Sequence, residues 1–136
     1  MTTNKKKILV VDDDPLVVKA FTIKLKANNY EVLTASDGST AVNIARTQRP
    51  DAILLDINFP DDFGSVAWDA FRIMEWLKRV DGAADIPVFV ISGGDASKYQ
   101  SKAREIGAAG YFQKPVIHEE LIAALERVLG LASVVA

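Results

Sequence analysis

Residues 51–60 read DAILLDINFP, and the apolar centre of this stretch ends abruptly in one carboxylate, Asp56. A short apolar run bounded by turn residues is typical of a strand buried on both faces, as in a parallel sheet. In open α/β sheets, ligands bind beyond the carboxyl ends of the strands. The sequence therefore predicts that Asp56 lies at the functional end of a buried strand, and Pro60 ends regular structure soon afterwards.

Similar apolar bursts recur along the chain, and helical patterns separate them. Further strands are predicted at 7–11, 30–35, 88–91 and 110–113. Helices are predicted over 16–27, from about 41 to Pro50, over 68–80, from 95 to near Gly107 and over 118–131. Asp14 suits the N-cap of the first helix because Pro15 follows it. About five repeats of strand and helix with short connections predict an α/β fold, a single doubly wound parallel sheet with helices on both faces.

Composition limits the possible functions. The 136 residues suffice for one domain, expected over 7–131, with short tails at 1–6 and 132–136. The net charge is −2, and no basic arm or stripe predicts direct binding to nucleic acid. Cysteine is absent, which excludes disulfides and thiolate chemistry. No apolar run approaches the roughly 20 residues that cross a bilayer, so we expect a cytoplasmic protein without a membrane partner.

Polar residues follow the predicted strands at one edge of the sheet. Asp12 and Asp13 end the first strand, Asp56 the third, Ser92 the fourth and Lys114 the fifth. Three neighbouring carboxylates need a counter-charge, and Mg²⁺ prefers such oxygen ligands. A lysine and a hydroxyl suit a phosphoryl group, which a carboxylate can accept as an aspartyl-phosphate. The set predicts a phosphoryl-accepting aspartate assisted by Mg²⁺.

These strand-end motifs closely resemble the receiver domain of two-component response regulators. The resemblance runs from about Lys7 to Leu129, and four segments carry it: 8–15, 54–60, 90–93 and 110–115. Each segment is a weak signal alone, and their order at successive strand ends makes them specific. The resemblance implies a flavodoxin-like sheet of five parallel strands in the order 2-1-3-4-5.

The resemblance also assigns the metal ligands. Asp56 would be the phosphoacceptor. Asp13, Asp56 and the backbone carbonyl of Asn58 would hold Mg²⁺, and Asp12 would act largely through water.

A second group of residues would respond to the phosphoryl group. Lys114 would pair with its oxygens and Ser92 would donate a hydrogen bond to them. Tyr111 would turn from an outward rotamer on activation. The chain would thus be a signalling switch without a separate substrate, whose only expected reactions are self-phosphorylation and self-dephosphorylation. Its partners would be a sensor histidine kinase or phosphotransfer protein and an unidentified downstream protein.

Two other functions remain open. Asp12 and Asp14 form an Asp-x-Asp after a strand, as in aspartate-nucleophile hydrolases resembling the haloacid dehalogenase superfamily, but no paired acidic motif follows Lys114 at another strand end. A docking module that is never phosphorylated is the other alternative, although such modules usually lack one of the site residues. His118, the single histidine, is expected on the exposed first turn of the last helix. The acidic and apolar segment 57–67 is longer than the family's usual loop, and its role is open.

Overall fold

The computed structural model describes residues 6–12, 14–56, 74–79, 85–92, 104–105, 107–113 and 116–129. Its strands are β1 (Lys7–Val11), β2 (Glu31–Ala35), β3 (Ala52–Asp56), β4 (Val88–Ser92) and β5 (Gly110–Gln113). The helices are α1 (Pro15–Ala27), α2 (Gly38–Gln48) and the last helix (His118–Leu129), and residues 74–77 are also helical. The strands form one parallel sheet in the order β2-β1-β3-β4-β5, which confirms the predicted fold class and strand order.

Alternation along the strands divides the core into two layers, one on each face of the sheet. On the α1 face, Ile8 and Val10 pack with buried residues of α1 and the last helix. On the α2 face, Leu9 and Val11 pack with buried residues of α2 and of the helical segment 74–77. Successive side chains of a strand point to opposite faces, so a central strand covered on both faces must be apolar throughout. The apolar run before Asp56 meets this requirement.

Side-chain caps fix where the first two helices begin. The Leu16 N–H donates to Asp14 Oδ1 at 2.9 Å, which confirms Asp14 as the predicted N-cap of α1. Asp37 caps α2 by accepting from the Thr40 N–H at 2.7 Å and from the Thr40 hydroxyl at 3.1 Å. The hydrogen bonds from Thr40 lower the pKa of Asp37 below its usual value. Asp14 lies three residues after the end of β1 and Asp37 two residues after the end of β2, so both helices begin close to the carboxyl edge of the sheet.

Strand β5 lies against β4 at a position that requires glycine. Gly110 is paired with Phe89, and a Cβ atom at Gly110 would lie 2.9 Å from Cδ1 of the Phe89 ring. The rings of Phe89 and Phe112 are tilted by 40° with centroids 6.2 Å apart on the same face. The absence of a side chain at Gly110 thus lets β5 pack closely against the Phe89 ring of β4.

The boundaries of some elements differ from the predictions. Tyr30 was expected to begin β2, but its N–H donates to the Leu25 carbonyl at 3.0 Å and closes the end of α1 instead. Only 74–79 of the predicted helix 68–80, and only 104–105 of the helix expected to end near Gly107, belong to the described part. The segment 57–67 and the tails at 1–5 and 130–136 lie outside it. Within the described residues, no helix is long and apolar enough to cross a membrane.

Tyr30 is a buried titratable group whose side chain is only 1% exposed. Its hydroxyl has no hydrogen-bond partner within the described part of the chain. Burial, with a smaller contribution from the Glu126 charge, raises the pKa of Tyr30 from 10.0 to about 12. Folding therefore favours the neutral phenol, and the resulting stability is complete below the unfolded-state pKa and lost as the pH rises from about 10 to about 12.

We predict that Tyr30→Phe removes this alkaline loss of stability. A change of pKa from 10.0 to about 12 corresponds to about 3 kcal/mol, because each tenfold change in proton affinity is worth about 1.4 kcal/mol. Urea unfolding at pH 8, 10, 11 and 12 measures the effect. The variant should equal or exceed the parent at pH 8, since an unpaired hydroxyl is removed, and its advantage should grow above pH 10. Parallel pH profiles for the two proteins would contradict the prediction.

Candidate functional site

Asp12 and Asp56 occupy neighbouring positions at the carboxyl edge of the sheet. Val11 is paired with Leu55, and each aspartate is the next residue along its strand. Neighbouring strands are about 4.8 Å apart, so the two backbones bring the side chains to the same level. Asp12 is 5% exposed and Asp56 7%, and they are the only buried charged side chains among the described residues. Burial of two adjacent acids is a feature of a site rather than of a solvated surface.

Local hydrogen bonds orient Asp12. Its N–H donates to the Ala35 carbonyl at 3.1 Å, which continues the pairing of β1 with β2 by one residue. Its Oδ1 accepts from the Asp14 N–H at 2.8 Å. The Asp14 side chain in turn caps α1, so the carboxylate of Asp12 is connected directly to the start of that helix.

The end of β4 lies next to Asp56 on the other side. Asp56 is paired with Ile91, and the backbone of Ser92 follows by one residue and is paired with Gln113 of β5. Lys114 is the next residue after Gln113. The structure thus brings Asp12, Asp56 and the Ser92 backbone to one edge, as the sequence predicts. Asp13, Asn58, Lys114 and the side chain of Ser92 lie outside the described residues, and their roles remain predictions.

The described donors fit a hard divalent cation. Asp12 and Asp56 supply carboxylate oxygens, which are the ligands that Mg²⁺ prefers, and a cation would offset the cost of burying two like charges. Within the described part of the chain, no three acidic or histidine residues lie close enough together to form a complete metal site. The remaining predicted ligands, Asp13 and the carbonyl of Asn58, belong to the segments outside it.

Tyr111 occupies a different orientation from the one expected. The family resemblance implies an outward rotamer for Tyr111, whereas its hydroxyl is buried and the half-buried side chain packs on the α2 face of the core. Alternation in β5 explains this, because Phe112 takes the α1 face and leaves the α2 face to Tyr111. The Tyr111 hydroxyl has no hydrogen-bond partner within the described residues.

His118 is also less exposed than expected. It begins the last helix, as predicted, but its ring is half-buried with its centroid 5.3 Å from that of Phe21 on α1. The sequence offers no signal for this contact, since the two residues are far apart in the chain and meet only after α1 and the last helix pack together.

Comparison with known proteins identifies the family. Residues 8–126 match the response regulator receiver domain. This chain belongs to that family. The receiver domain of two-component response regulators is therefore the correct assignment for most of the chain, as the strand-end motifs predict.

Two relatives show how the length of this chain compares with that of known response regulators. The receiver is 36% identical over 123 residues to the transcriptional regulatory protein PrrA of Mycobacterium bovis, with 90% of this chain and 49% of PrrA covered. It is 30% identical over 125 residues to the polar-differentiation response regulator DivK of Brucella anthropi, with 92% of this chain and 97% of DivK covered. The chain thus spans about half the length of PrrA and nearly all of DivK.

Solved structures agree with this assignment. The chemotaxis protein CheY4 of Vibrio cholerae superposes with a TM-score of 0.78 at 27% identity, with 92% of this chain and 99% of CheY4 covered. The non-phosphorylated receiver domain of HemR from Leptospira biflexa gives a TM-score of 0.75 at 27% identity and covers 97% of this chain and 100% of that domain. The described sheet is that of a CheY-like receiver.

The adjacent carboxylates lead to a prediction about metal binding. In the presence of chelator, Asp12→Asn should be more stable than the parent by about 1 kcal/mol, because it removes one of two neighbouring buried charges. Mg²⁺ should stabilise the parent, by about 2.7 kcal/mol at 100 times its dissociation constant, and the variant much less. Thermal melts with and without Mg²⁺ measure both effects.

Asp37→Asn is the matched control for this measurement. It removes one negative charge after β2 and retains a side chain that caps helices well. This control should keep the full response to Mg²⁺. Equal stabilisation of Asp12→Asn and the parent by Mg²⁺ would contradict a role for Asp12 at the metal.

Proposed function

We propose that this receiver is a phosphorylation-dependent switch that accepts a phosphoryl group on Asp56 from a histidine kinase or phosphotransfer protein. The domain extends over residues 7–131 and acts in the cytoplasm on a downstream protein. The observation that carries the proposal is the burial of Asp56 beside Asp12 at the carboxyl edge of the sheet in a chain of the receiver family.

Asp56 acts as the nucleophile. One of its carboxylate oxygens forms a bond to phosphorus as the bond from phosphorus to the donor's imidazole nitrogen breaks, and the freed nitrogen takes a proton from solvent. A bound Mg²⁺ would supply positive charge to the phosphoryl oxygens during transfer. Asp13, Asp56 and the carbonyl of Asn58 would hold this ion, and Asp12 would contact it largely through water.

Two further side chains stabilise the phosphorylated form. The Lys114 ammonium pairs with one phosphoryl oxygen, and the Ser92 hydroxyl donates to another. Support comes from the described ends of β4 and β5, since Ser92 is one residue beyond the partner of Asp56 and Lys114 follows the partner of Ser92. Ser92 is the last residue of β4 and Lys114 follows β5 in the sequence, and both strands lie on the same side of Asp56 in the sheet.

Tyr111 transmits the change to the surface formed by β5 and its neighbouring helices. Its buried hydroxyl has no partner among the described residues, and an unsatisfied buried hydroxyl costs about 1–3 kcal/mol. Movement of Ser92 toward the phosphoryl group would alter the space and the hydrogen-bond acceptors near Tyr111. A charge-assisted hydrogen bond contributes about 1.5–3 kcal/mol, and a shift from 1:99 to 99:1 requires about 5.5 kcal/mol. Ser92 alone is therefore too weak, and Lys114 and the metal must contribute.

The chemistry is tested by labelling with acetyl phosphate. Incubation with acetyl phosphate and Mg²⁺ should add one phosphoryl group to the parent, seen by intact mass, and peptide mapping should locate it on Asp56. Labelling should be lost in Asp56→Asn, which has no nucleophilic carboxylate, and strongly reduced by chelator.

The same assay separates the alternatives. An aspartate-nucleophile hydrolase would release phosphate over many turnovers, depend on Asp12 and remain active in Asp56→Asn. A docking module without phosphorylation would remain unlabelled under all conditions. Undiminished labelling in Asp56→Asn would refute the assignment of the phosphoacceptor.

The switch is tested with Ser92→Ala. We predict that this variant is still labelled on Asp56 but shows little change at Tyr111, because the hydroxyl that couples the site to β5 is gone. Side-chain NMR of Tyr111 with and without beryllofluoride, in the parent and in Ser92→Ala, measures the coupling. A Tyr111 response of the same size in both proteins would show that Ser92 does not transmit the signal.

A further inference from the structure

Asp14 connects the acidic edge of the sheet to the first turn of α1 through three of its own groups. Its backbone N–H donates to Asp12 Oδ1 at 2.8 Å, and its side chain accepts from the Leu16 N–H at 2.9 Å. Its backbone carbonyl accepts from the Val18 N–H at 3.1 Å. The donor that contacts the Asp12 carboxylate and the two acceptors that begin α1 therefore belong to one residue.

The local sequence makes the start of α1 depend on Asp14. Pro15 occupies the first helical position and has no N–H, so Leu16 carries the first backbone donor of the helix. Residues 15–27 contain no acidic side chain. Val17 stands at the position where a glutamate or glutamine would complete a capping box. Without the side chain of Asp14, the first turn of α1 would lose its cap and fray.

Asp12 depends on the same residue from the other side. Only 5% of Asp12 is exposed, so solvent contributes little to the orientation of its carboxylate. A backbone N–H that donates to a carboxylate oxygen forms a strong, directional hydrogen bond. A displacement of the Asp14 backbone would therefore change the orientation of the carboxylate that lies beside Asp56 in the sheet.

We propose that Asp14 is a positioning residue for Mg²⁺. By capping α1, its side chain holds its own N–H at the place where that N–H orients the Asp12 carboxylate for contact with the ion. This inference rests on the proposed function, which places Mg²⁺ at Asp12 and Asp56. Removal of a group that orients a metal-binding side chain typically weakens metal binding about 10–100-fold.

The contacts of Asp14 argue against a role as a direct metal ligand. Its Oδ1 accepts from the Leu16 N–H, which belongs to the helix and not to the edge of the sheet. Its contact with Asp12 is made by the backbone N–H, a group that cannot bind a cation. Asp14 is thus connected to the metal site through Asp12.

Helix α2 provides a matched cap that lies away from Asp56. Asp37 accepts from the Thr40 N–H at 2.7 Å, and its backbone carbonyl accepts from the Ala41 N–H at 3.0 Å. This cap follows β2, which β1 separates from β3. The two helices therefore begin with the same kind of cap, but only the cap of α1 is bonded to Asp12.

Asp14→Ala and Asp14→Ser separate the cap from the charge. Both variants remove the carboxylate, whereas only serine is a good N-cap. Asp14→Ala should weaken Mg²⁺ binding by about tenfold. Asp14→Ser should bind Mg²⁺ nearly as tightly as the parent. Isothermal titration of each protein with Mg²⁺, without a phosphodonor, measures the affinities.

Asp37→Ala controls for the loss of stability. Asp14→Ala and Asp37→Ala each remove one N-cap, and both should lower the melting temperature by about 2–8 °C. Only Asp14→Ala should lose affinity for Mg²⁺. An equal loss of affinity in both variants would show that Mg²⁺ binding follows overall stability and not the position of Asp12.

Amide hydrogen exchange tests the same coupling in the parent protein. Coupling between two sites is reciprocal, so bound Mg²⁺ should stabilise the first turn of α1 by the factor by which the cap strengthens Mg²⁺ binding. Saturation with Mg²⁺ should slow exchange at Leu16 and Val18 by about tenfold relative to chelator. Exchange at Thr40 and Ala41, the corresponding amides of α2, should change little.

The outcomes distinguish this inference from the function on which it rests. If the parent does not bind Mg²⁺, the metal-assisted chemistry of the proposed function fails. If the parent binds Mg²⁺ and Asp14→Ala binds it equally well, or Asp14→Ser is as weak as Asp14→Ala, positioning by the cap is refuted. Exchange that slows equally at both caps would refute it as well, and that measurement decides the question even where Asp14→Ala does not fold.

Discussion

Two aspartates buried at neighbouring strand ends, Asp12 and Asp56, are the constraint that the rest of the structure accommodates. Asp12 and Asp56 are both largely removed from solvent, and the register of β1 and β3 places them at the same level of the sheet. Burial of two acids at adjacent strand ends is a feature of a functional site rather than of a solvated surface. β1 and β3 are parallel neighbours that end at the same level of the sheet. Asp12 follows the last residue of β1, and Asp56 is the last residue of β3, so the two aspartates are neighbours.

The surrounding fold supports this edge with apolar packing on both faces of the sheet. Each central strand contributes alternate side chains to the two core layers, and neither layer contains a buried charge among the described residues. The polar chemistry is confined to the strand ends, where the chain turns into the helices. A rigid support with chemically active ends is the usual arrangement in doubly wound sheets, where the loops at the carboxyl edge carry function.

Much of this organisation follows from local sequence. The apolar run 52–55 is typical of a strand covered on both faces, and Asp14 before Pro15 indicates the start of α1. The order of the strands came from resemblance to a family, since alternating strands and helices alone permit several orders. The proximity of Asp12 and Asp56 followed from that order.

Features that depend on packing between distant segments could not be predicted. The buried hydroxyl of Tyr111 reflects which face of β5 is left after Phe112 occupies the other, and the half-buried ring of His118 depends on how α1 meets the last helix. Tyr30 was assigned to a strand because tyrosine favours strands, but its backbone N–H donates to the Leu25 carbonyl at the end of α1. Tertiary contacts decided the outcome for Tyr111 and His118, whereas for Tyr30 a hydrogen bond to a residue five positions earlier in the chain did so.

The fit of Gly110 against Phe89 has a consequence for how the family can diverge. The Phe89 ring occupies the space that any side chain at position 110 would need, so the two positions share one volume. A smaller residue in place of Phe89 would release that volume and allow a larger residue at 110. Among receivers of similar sequence, the two positions should therefore covary, with an aromatic ring in β4 accompanied by glycine in β5. Such covariation would show that β4 and β5 evolve together at this contact, in the strand that precedes Lys114 in the sequence.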